Sequence, residues 1–220
     1  MRLPAALSTP DDSAALALLR EYYAEDDDGR PHYTGAAFDR WDPSRTRAAS
    51  VDVFTADDVL ALPLLSVQLN GRAVLDLLVR RADELNALLA EVPADLDLVD
   101  VETPITRDWP ASRLLAALRT LDRVGTTTAT KLIARKRPRL RPVWDTVVAT
   151  HLGVWSSYIE PFRKELQKDD RALHVRLVRL GQKAEVEGVS PLRVFDVVTW
   201  LEATKAGRRA TGDELVEAEK

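Results

Sequence analysis

Apolar residues recur at intervals of three and four along most of this chain, which is the spacing of the buried face of an α-helix. The pattern is clearest over residues 71–91, where leucine, valine and alanine form a stripe opposite charged residues. It also predicts helices over residues 11–24 and 171–184 and after Ser190-Pro191. We therefore predict an all-α fold: a single helical domain spanning residues 1–220, whose N-terminal half and central stretch can form two lobes around a cleft.

Polar residues and prolines between these helices predict several boundaries. Thr55 and Asp58 resemble a capping box at the start of a helix that Pro63 keeps short. Residues 94–108 contain polar and apolar residues in alternation, as a short strand or an extended connector would. The last helix is expected to end before Gly207 and to leave residues 208–220 as a frayed tail.

Composition narrows the class of protein. With 45% hydrophobic and 30% charged residues, the chain has enough apolar material for a core. It has no cysteine, which excludes disulfides, a cysteine-ligated metal and a cysteine nucleophile. Its three histidines are scattered, so we predict neither a metal nor another cofactor. No apolar run reaches the roughly 20 residues of a membrane span. The N-terminal sequence is a poor signal peptide, so we expect a cytoplasmic protein without membrane contact.

Positive charge is concentrated in one segment, although the net charge of the chain is −4. Residues 131–141 contain no acid and hold these basic residues: Lys131, Arg135, Lys136, Arg137, Arg139 and Arg141. A positive patch on an acidic body suits an anionic ligand such as a DNA backbone. A solvated basic face that binds nothing is the alternative.

The stretch 114–148 is the part of the chain that indicates a specific chemistry. Two short helices flank Gly125, which allows a backbone conformation that a Cβ would oppose. Small residues at Gly125 and Ala129 are expected to let the two helices approach closely. The free N–H groups at the start of the second helix then form a site for a DNA phosphate. The residues expected to contact DNA are Arg123, Gly125, Thr126, Thr127 and Thr128, together with the basic residues of 131–141.

Two segments of this stretch match the pattern of a known superfamily. The first reads Leu121-Asp122-Arg123-Val124-Gly125 and is followed by Thr128-Ala129. The second, Pro142-Val143-Trp144-Asp145, ends 20 residues after Gly125. Their order and separation resemble the helix-hairpin-helix DNA glycosylases of the endonuclease III and 3-methyladenine glycosylase type. The resemblance covers residues 112–153. Residues 1–110 match no member of that superfamily, and the whole chain looks more like an actinobacterial family.

The resemblance implies a double-stranded DNA partner and a monofunctional DNA N-glycosylase, which flips out a damaged or modified base and hydrolyses its N-glycosyl bond. In that superfamily the aspartate that matches Asp145 is catalytic. This chain departs from the pattern at two positions. Arg123 stands where the first hairpin glycine is usual, and Thr127 stands where bifunctional members carry a Schiff-base lysine. The resemblance therefore implies neither a lyase reaction nor, without cysteine, an iron–sulfur cluster.

The predicted catalytic and base-pocket residues each have a structural alternative. Asp145 can instead cap the helix that begins at Thr146. Aromatic side chains in and around residues 30–43 can line a base pocket or fill the core of the domain. The pocket candidates are Tyr22, Tyr23, His32, Tyr33, Phe38, Trp41 and Trp144. For the whole chain, the alternatives are a non-catalytic helix-hairpin-helix module that binds DNA and a glycosylase-like scaffold that binds a protein partner.

Overall fold

A computed structural model describes residues 1–154 and 158–218 of the chain, with side chains described as far as residue 207. These residues form helices and no β-strand, which confirms the all-α prediction. The α-helices are α1 (Ala5–Ser8), α2 (Ser13–Tyr22), α3 (Gly35–Phe38), α4 (Ala56–Ala61), α5 (Gly71–Leu75), α6 (Ala82–Ala90), α7 (Pro110–Leu118), α8 (Thr126–Lys136), α9 (Thr146–Leu152), α10 (Ile159–Gln167), α11 (Ala172–Lys183) and α12 (Pro191–Ala218). Single turns of 3₁₀-helix cover Leu62–Leu65, Leu98–Asp100 and Asp169–Arg171, and a π-helical turn covers Asp76–Arg80.

Helix α12 lies at the centre of the fold and contacts α2, α9 and α11. Six of its apolar side chains are almost completely buried: Leu192, Val194, Phe195, Val197, Val198 and Leu201. Because these positions lie on more than one side of the helix, the charged residues between them are buried as well. Arg193 and Asp196 are 6% and 2% exposed. The central helix therefore carries both the core and two ionisable groups.

Residues 71–91 do not form the continuous helix that their periodicity predicts. The π-helical turn follows α5 directly, and the backbone leaves helical geometry at Arg81, with φ −119° and ψ 15°, before α6 begins. The extra residue in a π-helical turn rotates the apolar stripe around the helix axis. As a result, Leu77 is buried, whereas Leu75 and Val79 are 47% and 68% exposed. The predicted helix is correct in its extent and wrong in its continuity and in part of its buried face.

The other predicted boundaries have mixed outcomes. Thr55 and Asp58 form the expected capping box at the start of α4. Residues 94–108 contain a 3₁₀ turn and no strand, so the extended-connector alternative is the correct one. Helix α12 continues through Gly207 to Ala218, so the predicted end before Gly207 is wrong. The frayed tail over residues 208–220 stays a prediction, and residues 219–220 lie outside the described part of the chain.

Candidate functional site

A cavity of about 550 Å³ lies where α2, α8, α9 and α12 meet the turn after the 3₁₀ segment Leu62–Leu65. Its wall includes Tyr22, Tyr33, Lys131, Asp145 and Trp200. The volume lies within the range of roughly 300–1,000 Å³ that is usual for small-molecule sites. The cavity therefore unites residues from both halves of the chain in one concave, partly charged space.

Three aromatic rings form one wall of this cavity. The rings of Tyr22 and Tyr33 stack with their centroids 5.3 Å apart and their planes 8° from parallel. Trp200 meets both rings edge-on, at centroid distances of 6.0 and 5.9 Å. Gly35 makes this packing possible, because a Cβ on that residue would lie 2.1 Å from the hydroxyl oxygen of Tyr22. Tyr22 is 4% exposed and supports the wall from behind, whereas Tyr33 and Trp200 are partly exposed, so these two rings are the ones on which a planar ligand can stack.

Asp145 both caps α9 and lines the cavity. Its Oδ1 accepts a hydrogen bond of 3.0 Å from the backbone N–H of Val148, so the capping alternative is correct. The residue remains partly exposed, and its other oxygen makes no hydrogen bond to a described residue. Thr130 links α8 to the segment in front of Asp145, since its hydroxyl shares its proton between the Thr127 carbonyl at 2.9 Å and the Trp144 carbonyl at 3.3 Å. The cap orients the carboxylate without using both of its oxygens.

Lys131 belongs to the cavity rather than to an outer basic face. The residue is 5% exposed, and its Nζ donates to the Leu65 carbonyl at 2.7 Å. Burial lowers the pKa of the Lys131 ammonium, the nearby Asp145 carboxylate opposes this shift, and the charge of Arg193 adds to it. A cation and a carboxylate thus share one concave site.

Arg193 and Asp196 are cavity residues that the sequence reasoning missed. Arg193 donates to Asp39 at 3.0 Å and to the Tyr22 hydroxyl at 2.9 Å, which holds the aromatic wall in place. Asp196 Oδ2 accepts from the Val143 N–H at 2.6 Å. Burial raises the pKa of the Asp196 carboxyl well above its ordinary value. One feature of the sequence could have identified these two residues: they carry opposite charges and stand three positions apart among the apolar residues of one helix.

Four of the seven predicted pocket aromatics lie elsewhere, and only Tyr22, His32 and Tyr33 line the cavity. Phe38 is 2% exposed and belongs to the core. Trp144 stacks on Tyr158 at 4.1 Å between ring centroids. Tyr23 and Trp41 line a separate surface depression beside Pro31. The pocket prediction is therefore wrong for Tyr23, Phe38, Trp41 and Trp144, whose rings fill space between helices or lie on another face.

The predicted exposed basic patch is also wrong. Arg135 and Lys136 are 2% and 7% exposed and bind the buried carboxylate of Asp58 at 3.3 and 2.6 Å. Arg137 is 0% exposed, and Arg141 is 7% exposed. Burial lowers the pKa of the Arg141 guanidinium to about 10. These four cations face the interior and are not free to contact DNA. Two of them, Arg135 and Lys136, lie on α8, where every residue from Ala129 to Lys136 is buried.

Within residues 131–141, Arg137 is buried whereas Arg139 is exposed. Arg137 donates to the carbonyls of Val92, Val51 and Leu89 at 2.7, 2.8 and 2.8 Å. Arg139 is half-exposed and forms a two-pronged ion pair with Asp97 at 2.9 and 2.6 Å. The first side chain joins distant segments of the core, whereas the second makes an ordinary surface pair.

The hairpin between α7 and α8 differs from the predicted one in its backbone. Gly125 is extended, with φ −85° and ψ 178°, and a Cβ there would meet nothing within 4 Å. The left-handed conformation falls on Arg123, with φ 56°. Gly125 therefore neither adopts a special conformation nor brings the helices together. Both residues are exposed, residues 126–128 are partly exposed, and Thr127 reaches the cavity wall.

Two further properties concern the described residues only. No group of three or more His, Cys, Asp or Glu side chains among them is arranged to hold a metal ion. None of the described helices combines the length and the apolar character that crossing a membrane requires.

The fold and the cavity define a helical protein with a pocket that is walled by aromatic rings and carries charged groups. Residues 15–203 match a family of unknown function, DUF6308, so the chain belongs to that family. Searches of curated proteins and of solved structures give no match.

Proposed function

We propose that this protein is a monofunctional DNA N-glycosylase that takes a flipped base into the cavity and uses Asp145 as its catalytic carboxylate. The observation that supports the proposal most is the position of Asp145 on the same cavity as the stacked rings of Tyr22 and Tyr33. The resemblance to a glycosylase is confined to residues 112–153, and the aromatic wall that a base pocket requires comes from outside that stretch, from Tyr22, Tyr33 and Trp200.

The aromatic wall suits a nucleobase. Stacking of a base on an aromatic side chain contributes about 1–3 kcal/mol and requires a flat, accessible ring. Tyr22, Tyr33 and Trp200 hold one another at fixed angles, and Arg193 fixes the Tyr22 hydroxyl. Little rotamer freedom is therefore lost when a base enters, which favours binding.

Asp145 suits the chemistry of N-glycosyl hydrolysis. The bond from Val148 N–H to Oδ1 fixes the carboxylate, and Oδ2 is left for a water molecule or for the sugar. In the reaction, the carboxylate stabilises the positive charge that develops at the sugar carbon and accepts a proton from the attacking water. A group that is held in position before the substrate arrives performs both tasks without reorganisation.

DNA contact is assigned to the hairpin alone. The N-terminus of α8 is open at Gly125, and Thr127 in its first turn lines the cavity, so a phosphate at the helix start lies close to a base in the pocket. Arg72 and Arg123 are exposed and line one surface depression at this hairpin, together with Asp122. Two phosphate contacts predict a slope of about −2 for the logarithm of the DNA affinity against the logarithm of the salt concentration.

The deciding experiment is base excision from duplexes that carry varied damaged or modified bases. Asp145→Asn is the informative variant, because asparagine retains the helix cap and removes the charge. Asp108→Asn is a matched control on an exposed loop residue. We expect release of at least one base by the wild type and the control, with a loss of 10²-fold or more in Asp145→Asn, the size of a typical acid–base contribution. Absence of release from every duplex, or equal release by all three proteins, would contradict the proposal. In that case, DNA affinity with the expected salt slope would indicate a non-catalytic DNA-binding module.

A further inference from the structure

Lys131 is an ionisable group on the cavity wall, and the hydrolysis proposed for Asp145 does not use it. It is 5% exposed and lies one helical turn beyond Thr127 on the same face of α8. Its ammonium has three donors. The Leu65 carbonyl takes one of them at 2.7 Å, and no other hydrogen bond joins Nζ to the described residues. Two donors therefore remain for a ligand in the cavity.

From this placement we infer that Lys131 is the general acid of the reaction, which protonates the departing base while Asp145 accepts the proton of water. The inference rests on the proposed function and adds a second catalytic residue to it. Lys131 and Asp145 line the same cavity and interact electrostatically. Enzymes divide acid and base work between two groups whose surroundings favour opposite protonation states.

The step balances without any other reactant. The water oxygen forms a bond to the sugar carbon as the carbon–nitrogen bond breaks, and the electron pair of that bond goes to the base. Lys131 gives a proton to the base, and Asp145 takes one from the water. The products are the free base and a sugar with a new hydroxyl group. A proton that then passes from the Asp145 carboxyl to the Lys131 amine restores the starting state.

Burial supports this assignment. It lowers the pKa of the Lys131 ammonium, which makes the group a stronger acid near neutral pH than an exposed lysine. The Asp145 carboxylate works against that shift and so keeps the ammonium protonated before the reaction. The other titratable or charged groups on the cavity wall are Tyr22, His32, Tyr33, Arg193 and Asp196.

One test needs no catalysis. The titration of Lys131 can be followed by NMR of its Nζ nitrogen, with the resonance assigned by its absence in Lys131→Arg. We expect Lys131 to titrate below the ordinary range of a lysine side chain, and its midpoint to fall further in Asp145→Asn, because the supporting charge of the carboxylate is lost. An identical Lys131 midpoint in the two proteins would overturn the inference. If the Lys131 midpoint falls in Asp145→Asn but the wild-type protein releases no base, the result would count against the glycosylase function and not against the interaction between Lys131 and Asp145.

The second test uses the leaving group. Hypoxanthine leaves as a poor anion unless it is protonated, whereas 7-methylguanine already carries a positive charge. We compare wild type and Lys131→Met on duplexes containing each base. Removing a general acid should slow hypoxanthine release by about 10²-fold and change the ratio of the two rates by at least about tenfold. Equal slowing on both substrates would indicate a structural role and overturn the inference. Lys131→Gln, which keeps a polar end, replaces the methionine variant if that variant does not fold.

Discussion

Arg137→Met tests whether the basic segment holds the fold together. The guanidinium is 0% exposed and donates to four backbone carbonyls, three of which, those of Leu89, Val92 and Lys136, belong to buried residues. It also forms an ion pair with the partly exposed carboxylate of Asp52. Methionine fills much of the same volume and supplies no donor. Each buried carbonyl that loses its partner costs about 1–3 kcal/mol, and new apolar burial offsets part of that cost. We therefore expect a loss of about 3–5 kcal/mol.

Such a loss is a large part of the roughly 5–15 kcal/mol by which domains are stable. Urea unfolding followed by circular dichroism measures it. With an m-value of about 2 kcal/mol/M, the midpoint should fall by about 2 M. Arg139→Met is the matched control, since Arg139 lies two residues further on and its side chain is 48% exposed in an ion pair with Asp97. A surface pair contributes about 0–1 kcal/mol, so this midpoint should move by less than about 0.5 M.

The opposite pattern would refute the reasoning. If the segment faced DNA, both variants would unfold near the wild-type midpoint, and both would bind duplex DNA more weakly with a shallower salt slope. Equal, small midpoint shifts in Arg137→Met and Arg139→Met would therefore show that the guanidinium of Arg137 does not join the core segments.

Three further predictions concern single positions. Gly35→Ala places a Cβ 2.1 Å from the Tyr22 hydroxyl oxygen, so it should cost about 1–3 kcal/mol in thermal unfolding and reduce base release. Arg123→Gly removes a side chain from a left-handed residue with φ 56°, so it should raise the stability by about 1 kcal/mol while it weakens DNA binding through the lost charge. Hydrogen bonds from Lys183 and other cations lower the pKa of Asp12 to about 2. The stability that Asp12 contributes is therefore complete above its unfolded pKa of about 4 and disappears as the pH falls to about 2, and Asp12→Asn should flatten that part of the pH profile.

Each of these changes has a control or an outcome that would contradict it. Gly71→Ala adds a Cβ that meets nothing within 4 Å and should leave the stability at or slightly above that of the wild type. Arg119→Gly alters an exposed residue with φ −71° at the end of α7, where glycine should destabilise. Higher stability of Gly35→Ala, lower stability of Arg123→Gly, or an unchanged acid limb in Asp12→Asn would each contradict the corresponding argument.

The helical class and most helix starts could be predicted because they depend on local signals. The capping box at Thr55, the proline at position 110 and the Ser190-Pro191 start all act within one turn. The π-helical turn at Asp76–Arg80 could not be predicted, since it keeps the same apolar composition and depends on how the helix packs against the rest of the domain. The same limit applies to the end of α12.

The basic segment shows why burial is difficult to predict from charge. Its partners lie far away in sequence: Asp58 for Arg135 and Lys136, and the carbonyls after α6 and before α4 for Arg137. A run of cations without nearby acids has the same appearance whether it faces solvent or the carbonyl ends of other segments. Charged residues are rarely buried unless they are paired, and the pairing is visible only in the folded chain.

Some residues of the candidate site could be predicted and others could not, because they come from segments of different composition. Asp145 and Tyr33 stand in segments whose composition indicates a special role, whereas Trp200, Arg193 and Asp196 come from a helix that resembles ordinary core. The buried position of the basic segment also changes what the site must do. Because most cations of residues 131–141 are buried, we expect general electrostatic attraction to DNA to be weak in a chain whose net charge is −4. A glycosylase of this construction must draw most of its discrimination from the pocket. This makes the stacked rings and the Lys131–Asp145 pair the features on which the proposed function depends.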